Sequence, residues 1–550
     1  MKSMARKSEG PGPAKPDCPP RPSSPTPSEL GFERRPMVRW LDPHQLVDTA
    51  VRVLLSGIFG TYADPRHLQA LAAGQTLDRS ESPELWLDYV ADLGDGWNST
   101  YTVSRLLASE NLELGWNGQD HVTERGRILV MGGDQVYPVP KRREYVNRLL
   151  GPYQAAMPCA AGEPPELFAI PGSHDWYDGL INFEEVFCRQ RSIGGWKTQQ
   201  SRSYFAIKLP HRWWLWGIDI QFGPYMDEAQ WGYFSEVAAS QVERGDRIIL
   251  CMSKEVEGGG NVLSDRDLEH LERRLVQSTG AQVVLYLKSG RHHYCRYEEE
   301  DGPRQHITAG GGGAFLHPTH QLPDQLNLPA EEGQSTFRRA ATYPSPTTSK
   351  RLRKRIWLLP LYNLPLAALF GVVQVLLAFN LGLHLQDRHA SVDVASLRRA
   401  LWESPTAFVL IVLLVVLLAA MVRFAHDARG LTRLVLGLVH SSLQLAGSAG
   451  AMIAASRLSS ALGLSGYLWA TNCLGFHGNE AYAPLHHMDL KSFLRLHIDG
   501  DGALTVYPVG VDRVGRDWRL RPDAPAHDPW FAPTGDEPAA KLIESPVKIK

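Results

Sequence analysis

The stretch that decides the fold is AIPGSHDWYDG, residues 169–179. It begins within an apolar run, residues 167–170, which predicts a buried strand. A Pro-Gly pair ends the strand, and three polar residues follow: Ser173, His174 and Asp175. In α/β folds the reactive groups lie at the carboxyl ends of strands, so this turn is a candidate active-site loop.

Short apolar runs alternate with polar or helical stretches from about residue 36 to residue 342, which is the pattern of a layered α/β or α+β domain. Several runs end in Gly or Asp, where a loop would begin. Eight runs are predicted to be strands: LWLDYVAD, RILVMGGD, LFAIPG, YFAIKL, WWLWGIDI, RIILCM, VVLYLKSG and HITAGG.

The bulk composition limits the classes of partner and compartment. A chain of 550 residues is long enough for two or three structural units, and a formal net charge of -2 argues against nucleic-acid binding. The six cysteines are scattered without a C-x-x-C pair, which fits a reducing compartment. The first 36 residues are rich in Pro, Ser, Lys and Arg and predict a disordered tail.

The composition changes after residue 350. A basic cluster, RLRKR, precedes an apolar stretch at 356–385, and a second apolar stretch covers 406–422. Each is long enough for a membrane-spanning helix of about 20 residues. Less apolar stretches at 434–455 and 461–476 predict a second helical hairpin. The sequence thus predicts four spans, two at minimum, and a multi-pass membrane protein whose soluble domain faces the cytoplasm.

These patterns predict five segments. Around the sequence DGDG, residues 499–502, an alternating apolar pattern indicates a β-hairpin that pairs with the main domain. The segments are a disordered tail at 1–36, a catalytic-type domain at 37–350, transmembrane helices at 351–476, a return segment with the hairpin at 477–522, and a tail at 523–550.

Four motifs place acids or histidines at the ends of predicted strands. They are VADLGDG, GGDQVYP, PGSHDW and KSGRHHY, and they contain the candidate residues Asp92, Asp95, Asp134, His174, Asp175, His292 and His293. Hard divalent cations take carboxylates and borderline cations accept imidazole. The mixture suits Mn, Fe, Zn or Mg.

In the motifs DYVADLGDG, GGDQVYP, HDWYDGL, SRSYFA and HITAGGGGAFLHPTH, the chain resembles calcineurin-like metallophosphoesterases, and more closely a bacterial membrane-associated group of them. The resemblance covers roughly residues 40–320 and resumes at HGNEAYAPLHHMDLKSFLRLHI. It implies an α+β fold, a β-sandwich flanked by helices and here interrupted by a transmembrane helical insertion. It also implies two metals at one edge of the sandwich that activate a water molecule for attack on phosphorus.

The resemblance implies roles for the metal ligands. Asp92 matches the first metal-binding aspartate, although Gly94 stands where the family has a histidine, and Asp95 could supply the missing ligand. Asp134 matches the aspartate that bridges the two metals, and His292 matches a ligand of the first metal.

The resemblance also implies roles for two residues of the turn at 169–179. His174 would stabilise the phosphoryl group or protonate the leaving oxygen. Asp175 would fix the tautomer and orientation of that histidine.

The chain departs from the family pattern around the second metal. Ser173 stands where the family has asparagine, and Gly290 offers no side chain. Where a metal-binding histidine is expected, the chain has Ser253, Lys254 and Glu255. The Lys254 ammonium could stand in place of a cation, or Glu255 could be a substitute ligand. The sequence therefore predicts one divalent metal site, with the second site in doubt.

Other polar residues could replace the lost ligands if the fold brings them near, although loop histidines are commoner than ligands. They are His317, His320, His477, Glu480, His486 and His487. Two functions remain open: a membrane-anchored hydrolase that cleaves a phosphoester with metal-activated water, and a pseudophosphoesterase that acts as a binding or scaffold module. The expected partners are a phosphoester substrate and a lipid bilayer.

Overall fold

The computed structural model describes residues 18–59, 76–220, 226–253, 270–329, 334–365, 369, 376 and 463–549. Its strands, in chain order, are β1 (Leu77–Asp78), β2 (Leu85–Val90), β3 (Asn111–Trp116), β4 (Gln119–Glu124), β5 (Ile128–Met131), β6 (Glu166–Ala169), β7 (Ser192–Ile193), β8 (Trp196–Thr198), β9 (Phe205–Lys208), β10 (Trp213–Ile218), β11 (Arg247–Met252), β12 (Gln282–Lys288), β13 (Tyr294–Glu299), β14 (Gln305–Ala309), β15 (Gln325–Pro329), β16 (Gln334–Tyr343), β17 (Lys491–Ile498), β18 (Leu504–Val511), β19 (Trp518–Leu520), β20 (Phe531–Pro533), β21 (Ala540–Leu542) and β22 (Val547–Ile549).

Helices connect these strands and cover the two sheets that they form. The α-helices are Pro27–Leu30, Pro43–Phe59, Trp97–Ala108, Arg142–Tyr145, Gly151–Ala156, Ile181–Phe187, Glu228–Gln241, Pro346–Leu352, Leu359–Tyr362 and Gly478–Tyr482, with a further helix over 463–473. The 3-10 helices are Asp175–Asp178, Pro210–Arg212, Gln277–Thr279, Arg353–Leu358 and Ala483–Leu485, and the π-helices are Val146–Leu150 and Glu272–Val276.

The pairs β3-β4 and β19-β20 form two small antiparallel sheets of their own, and the other strands form two large mixed sheets. One runs in the order β1-β9-β10-β11-β12-β14-β13-β16-β15, and the other in the order β21-β18-β17-β2-β5-β6-β8-β7, with β22 also paired to β18. Each sheet has a parallel centre: β10, β11, β12 and β14 in the first, and β2, β5, β6 and β8 in the second. Antiparallel strands extend both sheets at their sides.

The two sheets pack face to face, with helices on the outer surfaces. One buried cluster joins inward side chains of both sheets, including Tyr89, Phe168, Leu215 and Ile249. A second cluster packs helices 97–108, 151–156 and 181–187 on one sheet, and a third packs helix 228–241 on the other. The architecture is therefore a four-layer α+β sandwich, in which both sheets are covered on both faces.

All eight strands predicted from the sequence are present, as β2, β5, β6, β9, β10, β11, β12 and β14. Their continuous apolar runs fit strands that are buried on both faces. In β10 all six residues are buried, including three tryptophans, so these indoles are core residues. The parallel centres of both sheets direct the loops after β2, β5, β6 and β12 to one edge of the sandwich.

The hairpin predicted at residues 499–502 is present. It joins β17 to β18, and β17 pairs with β2 in antiparallel register from Leu494↔Tyr89 to Ile498↔Leu85. Further along the chain, β21 and β22 also pair with β18. The C-terminal part of the described chain thus completes the sheet that carries Asp92.

Among the described residues, no helix has the length and apolar character to cross a membrane. This finding corrects the predicted transmembrane insertion, and with it the multi-pass membrane localisation and the cytoplasm-facing orientation. The stretches 406–422 and 434–455, and most of 356–385, lie outside the described residues. The described part of 356–385 begins within a 3-10 helix and continues as a four-residue α-helix, Leu359–Tyr362, with a proline in its first turn.

Packing explains part of this apolar sequence without a bilayer. Side chains from the start of the first predicted span are buried in a cluster with Leu464 and Leu468 of the last predicted span and with residues that follow it. The cluster contains Leu41, Ile356, Leu359, Leu464, Leu468, Ala481, Tyr482 and Leu485.

Residues 18–36, which the sequence assigns to a disordered tail, lie against the domain. Cys18 forms a disulfide with Cys159, and Phe32 stacks on two tryptophan rings, Trp97 and Trp530. The guanidinium of Arg21 donates to the backbone carbonyls of Arg521, Pro525, Asp528 and Pro529. The disulfide also corrects the expectation that all cysteines are reduced, since a pair separated by 141 residues leaves no spacing signal.

Candidate functional site

The hydroxyl of Tyr137 is the centre of the candidate site. It lies 3.2 Å from Oδ1 of Asp92, 3.3 Å from Oδ2 of Asp134 and 2.9 Å from Nε2 of His292. All four side chains are buried. The loops after β2, β5 and β12 therefore bring together three of the four predicted metal ligands, and they meet at a tyrosine that the motif comparison did not single out.

The hydrogen bonds around this hydroxyl determine the tautomer of His292. Its Nδ1 lies 2.8 Å from the carbonyl oxygen of Phe315, which can only accept, so Nδ1 carries the proton and Nε2 has a free lone pair. Burial, and then the neighbouring His317, lowers the pKa of His292 well below its usual value. The single hydroxyl hydrogen of Tyr137 thus faces three acceptors: one neutral imidazole nitrogen and two carboxylate oxygens.

The two carboxylates are held by the backbone. Oδ1 and Oδ2 of Asp92 accept the N–H of Gly290 at 3.2 and 3.0 Å, and Oδ1 of Asp134 accepts the N–H of His174 at 2.8 Å. Asp92 and Asp134 both have positive φ angles, +56° and +48°. Such backbone conformations are strained for residues other than glycine and are concentrated at functional sites.

Two glycines are required by the closeness of these carboxylates. A Cβ atom on Gly172 would lie 2.1 Å from Oδ1 of Asp134, and one on Gly310 would lie 2.0 Å from Oδ2 of Asp92. Gly310 begins the run of four glycines, whose later members pack against the backbone of residues 91–93. This run is therefore a tight path beside the site, as the sequence predicts.

Asp95 has a different role from the predicted one. Its carboxylate accepts the N–H of Val38 at 2.7 Å and the N–H of Phe315 at 3.0 Å. It therefore ties the N-terminal segment and the loop after the glycine run to the turn after β2. No contact joins it to the Tyr137 hydroxyl in the described part of the chain, so it does not replace the missing ligand at Gly94.

His174 lies at the mouth of the site and is partly exposed. Its Nδ1 lies 2.8 Å from the carbonyl oxygen of Pro138, and its ring centre lies 4.5 Å from that of Tyr137. Because the carbonyl can only accept, Nδ1 is the donor and Nε2 carries the available lone pair. The carbonyl of Pro138, rather than a carboxylate, orients this imidazole.

Asp175 is buried behind the turn and does not contact the His174 ring. Its carboxylate accepts the hydroxyl of Tyr145 and the backbone N–H groups of Gly172 and Gln135. Burial, and then the charge of Asp134, raises the pKa of Asp175 to about 8. Its observed contacts hold the turn in place, which differs from the predicted role of fixing the histidine tautomer.

The positions expected to hold a second metal are lined by small residues. Ser253 and Ser289 have their hydroxyl oxygens 3.0 Å apart, beside Gly133, and Ser289 Oγ also lies 2.7 Å from the carbonyl of Gly132. Ser173 and Gly290 add no carboxylate or imidazole. Lys254 and Glu255, the two alternatives considered from the sequence, lie outside the described residues.

The other histidines do not join the central group. His317 stacks on His292 at 4.1 Å with an interplanar angle of 6°, and its Nδ1 accepts the backbone N–H of His292. His317 therefore supports His292 and does not join the group around Tyr137. The remaining candidates have separate contacts: His320 with Ser349, His477 with Tyr467 and Glu480, and His487 with Arg355, while His486 packs near Tyr362.

The fit of this donor set to a metal depends on Tyr137. Among the described residues, no three His, Cys, Asp or Glu side chains form a group that could hold a metal ion by themselves. Adding the phenol gives two carboxylates, one imidazole and one phenol, with separations of 2.9, 3.2, 3.3 and 3.9 Å between donor atoms. Ligands bonded to one cation at about 2.0–2.2 Å lie roughly 3–3.5 Å apart, and the three distances from the phenol oxygen fall in this range.

Two features of the site escaped the sequence motifs. Tyr137 follows Asp134 by three residues, at the end of the same loop, and this spacing alone does not separate it from a core tyrosine. Trp40 packs edge-on against the rings of Tyr137, His174 and Phe315, at centroid distances of 5.7, 5.7 and 5.3 Å. No local pattern marks Trp40, because these contacts join distant parts of the chain.

No protein-family model matches the chain, and no curated protein does. Several solved structures align with part of it. GAP50, described as the anchor in the inner membrane complex of Plasmodium, aligns over 47% of this chain and 80% of that chain, with 15% sequence identity and a TM-score of 0.32. Purple acid phosphatase PPD1 from yellow lupin (Lupinus luteus) seeds aligns over 48% of this chain and 49% of that chain, with 13% identity and a TM-score of 0.32.

A structure of PhoD aligns over 44% of this chain and 59% of that chain, with 11% identity and a TM-score of 0.28. The alignments thus span about half of the lupin phosphatase and less than two thirds of PhoD. The similarity to phosphatase-type folds is weak and does not identify the family.

Proposed function

We propose that the chain hydrolyses phosphoesters at a site that holds one divalent metal ion through Asp92, Asp134, Tyr137 and His292. The observation that carries this proposal is the convergence of two carboxylates and a neutral imidazole on one buried hydroxyl. Three acceptors share one hydrogen there, an arrangement that costs free energy in a buried site. A cation would satisfy all four groups.

The chain's own residues account for the remaining steps. A bound divalent ion supplies Lewis acidity and makes water a stronger nucleophile. His174 lies at the mouth of the site. Its Nδ1 donates to the carbonyl of Pro138, and its backbone N–H donates to Oδ1 of Asp134. Nε2 of His174 would take up a proton from solvent and give it to the leaving oxygen as the water oxygen–phosphorus bond forms and the ester P–O bond breaks, while the attacking water releases its proton to solvent.

A second candidate is a binding module that holds the metal without turnover. It is favoured by the residues beside Asp134, where Ser253, Ser289 and Gly290 offer no ligand for a second cation. A mechanism that needs two metals therefore has no support from the described residues. The proposed hydrolysis must proceed with one metal and with His174.

Metal content and turnover of the full chain separate these candidates. We expect at least one divalent ion per chain and manganese-dependent cleavage of an aryl phosphate, both lost in Asp134→Asn. Asp178→Asn is the matched control, because Asp178 lies in the same loop region but bonds Asn182. Metal bound without turnover on any ester would favour the binding module, and a chain free of metal after loading would contradict both.

A further inference from the structure

The N-terminal segment at residues 37–40 forms one wall of the site. Val38 donates its N–H to Asp95, and Met37 packs with Phe315 in a buried cluster. Upstream, the Cys18 disulfide and the stacked ring of Phe32 hold the same segment to the domain. This wall is therefore a fixed part of the site.

The side chain that this wall places at the site is Trp40. Its indole stands edge-on to the rings of Tyr137 and His174, with interplanar angles of 74° and 76°. Tyr177 also contacts the His174 ring, at a ring distance of 4.9 Å. The proposed proton donor is thus in contact with the aromatic rings of Trp40, Tyr137 and Tyr177.

The indole nitrogen of Trp40 adds a second observation. Nε1 is enclosed and has no hydrogen-bond acceptor in the described part of the chain, although the side chain as a whole is partly exposed. An enclosed N–H without an acceptor is unfavourable, and native proteins usually satisfy such groups with a ligand or a water molecule. This N–H belongs to a ring that contacts His174 at the candidate site.

From these contacts we infer that Trp40 selects the leaving group, and that the preferred substrates are phosphoesters of alcohols carrying a flat ring, such as aryl or nucleoside esters. This inference rests on the hydrolysis proposed above. The metal site would bind the phosphoryl group. The rings of Trp40, His174 and Tyr177 pack against the planar group, and aromatic contacts of this kind change binding by about two- to tenfold beyond the effect of the area they bury.

The test compares phenyl phosphate with methyl phosphate in the full chain. Trp40→Ala should lower kcat/KM for phenyl phosphate by about tenfold, and for methyl phosphate by less than about twofold. Trp40→Phe keeps a ring and should retain most of the preference. Trp86→Ala is the matched control, because Trp86 lies near the start of β2, away from the site, and stacks on His497.

Binding of two phosphonates tests the aromatic selection by Trp40 independently of the proposed hydrolysis. The wild-type chain should bind phenylphosphonate more tightly than methylphosphonate, measured by calorimetry with manganese present, and Trp40→Ala should lose this difference. That result without turnover of either ester would reject hydrolysis and retain the aromatic selection. Equal loss for both ligands, no loss, or no binding of either phosphonate would overturn the inference.

Discussion

The hydroxyl of Tyr137 lies 2.9 Å from Nε2 of His292, and the carbonyl of Phe315 holds the other ring nitrogen as a donor. This pair links the loop after β5 in one sheet to the loop after β12 in the other. The site is thus built across the two sheets, and its geometry depends on how they pack.

Replacing Tyr137 tests whether its hydroxyl is a metal ligand. Tyr137→Phe should weaken manganese or zinc binding by at least about tenfold, because one of four donors is removed. Competition with a chelator measures the Kd. Tyr145→Phe is the control, since the Tyr145 hydroxyl bonds Asp175 instead. Unchanged metal affinity in Tyr137→Phe would show that the phenol is only structural.

The close approach of Gly172 to Asp134 predicts a steric effect. Gly172→Ala should lower the free energy of unfolding by about 1–3 kcal/mol and reduce the metal content, because the new Cβ would meet the carboxylate and the backbone N of Asp134. Denaturant unfolding and metal analysis measure both. Gly162→Ala, with no heavy atom within 4 Å of its Cβ, should change neither.

The buried pair Asp88 and Arg495 predicts a pH dependence of stability. Burial raises the pKa of Asp88 from 3.8 to about 6, against the opposing charges of Arg495 and Arg125. The folded chain therefore keeps a proton that the unfolded chain loses above pH ~4. The stability from this proton is complete below pH ~4 and is lost as the pH rises through about 6, by about 3 kcal/mol in total.

Asp88→Asn should remove that slope, and urea unfolding between pH 4 and 7 measures it. Replacing the exposed Asp523 by Asn serves as the control and should leave the slope in place. A slope that persists in Asp88→Asn would assign it to another group.

The disulfide predicts a large stability effect from a residue far from the site. Cys18→Ser should lower the free energy of unfolding by about 2–5 kcal/mol, since the cross-link closes a loop of 141 residues. Reducing agent should have the same effect on the wild-type chain and none on the variant. Cys473→Ser, at an exposed free cysteine, should leave stability unchanged.

The sequence predicts the parts of the site that depend on strand ends. Asp92, Asp134 and His292 each follow a strongly apolar run, and parallel strands bring such ends to one edge, so their meeting could be anticipated. Tyr137 could not be distinguished from a core aromatic residue, because it is fully buried like many other tyrosines in the chain. Its function depends on contacts with a loop from the other sheet.

The wrong predictions for residues 18–36 and for the start of the stretch 356–385 have a common physical cause. Composition alone cannot distinguish an apolar residue packed on protein from one that faces lipid, and Ile356 and Leu359 are buried against Tyr482 and Leu485. A Pro- and Ser-rich segment can likewise be ordered by a few anchors, here Phe32 and Cys18. In both places, long-range contacts overrule the local pattern.

The pairing of β2 with β17 has a consequence for biosynthesis. β17 is made about 400 residues after β2, so one edge of β2 stays open while those residues are translated. The turn that carries Asp92 directly follows β2 and cannot be locked before that pairing. Nascent chains that have not reached β17 would therefore expose an unpaired edge, depend on chaperones and lack a finished candidate site.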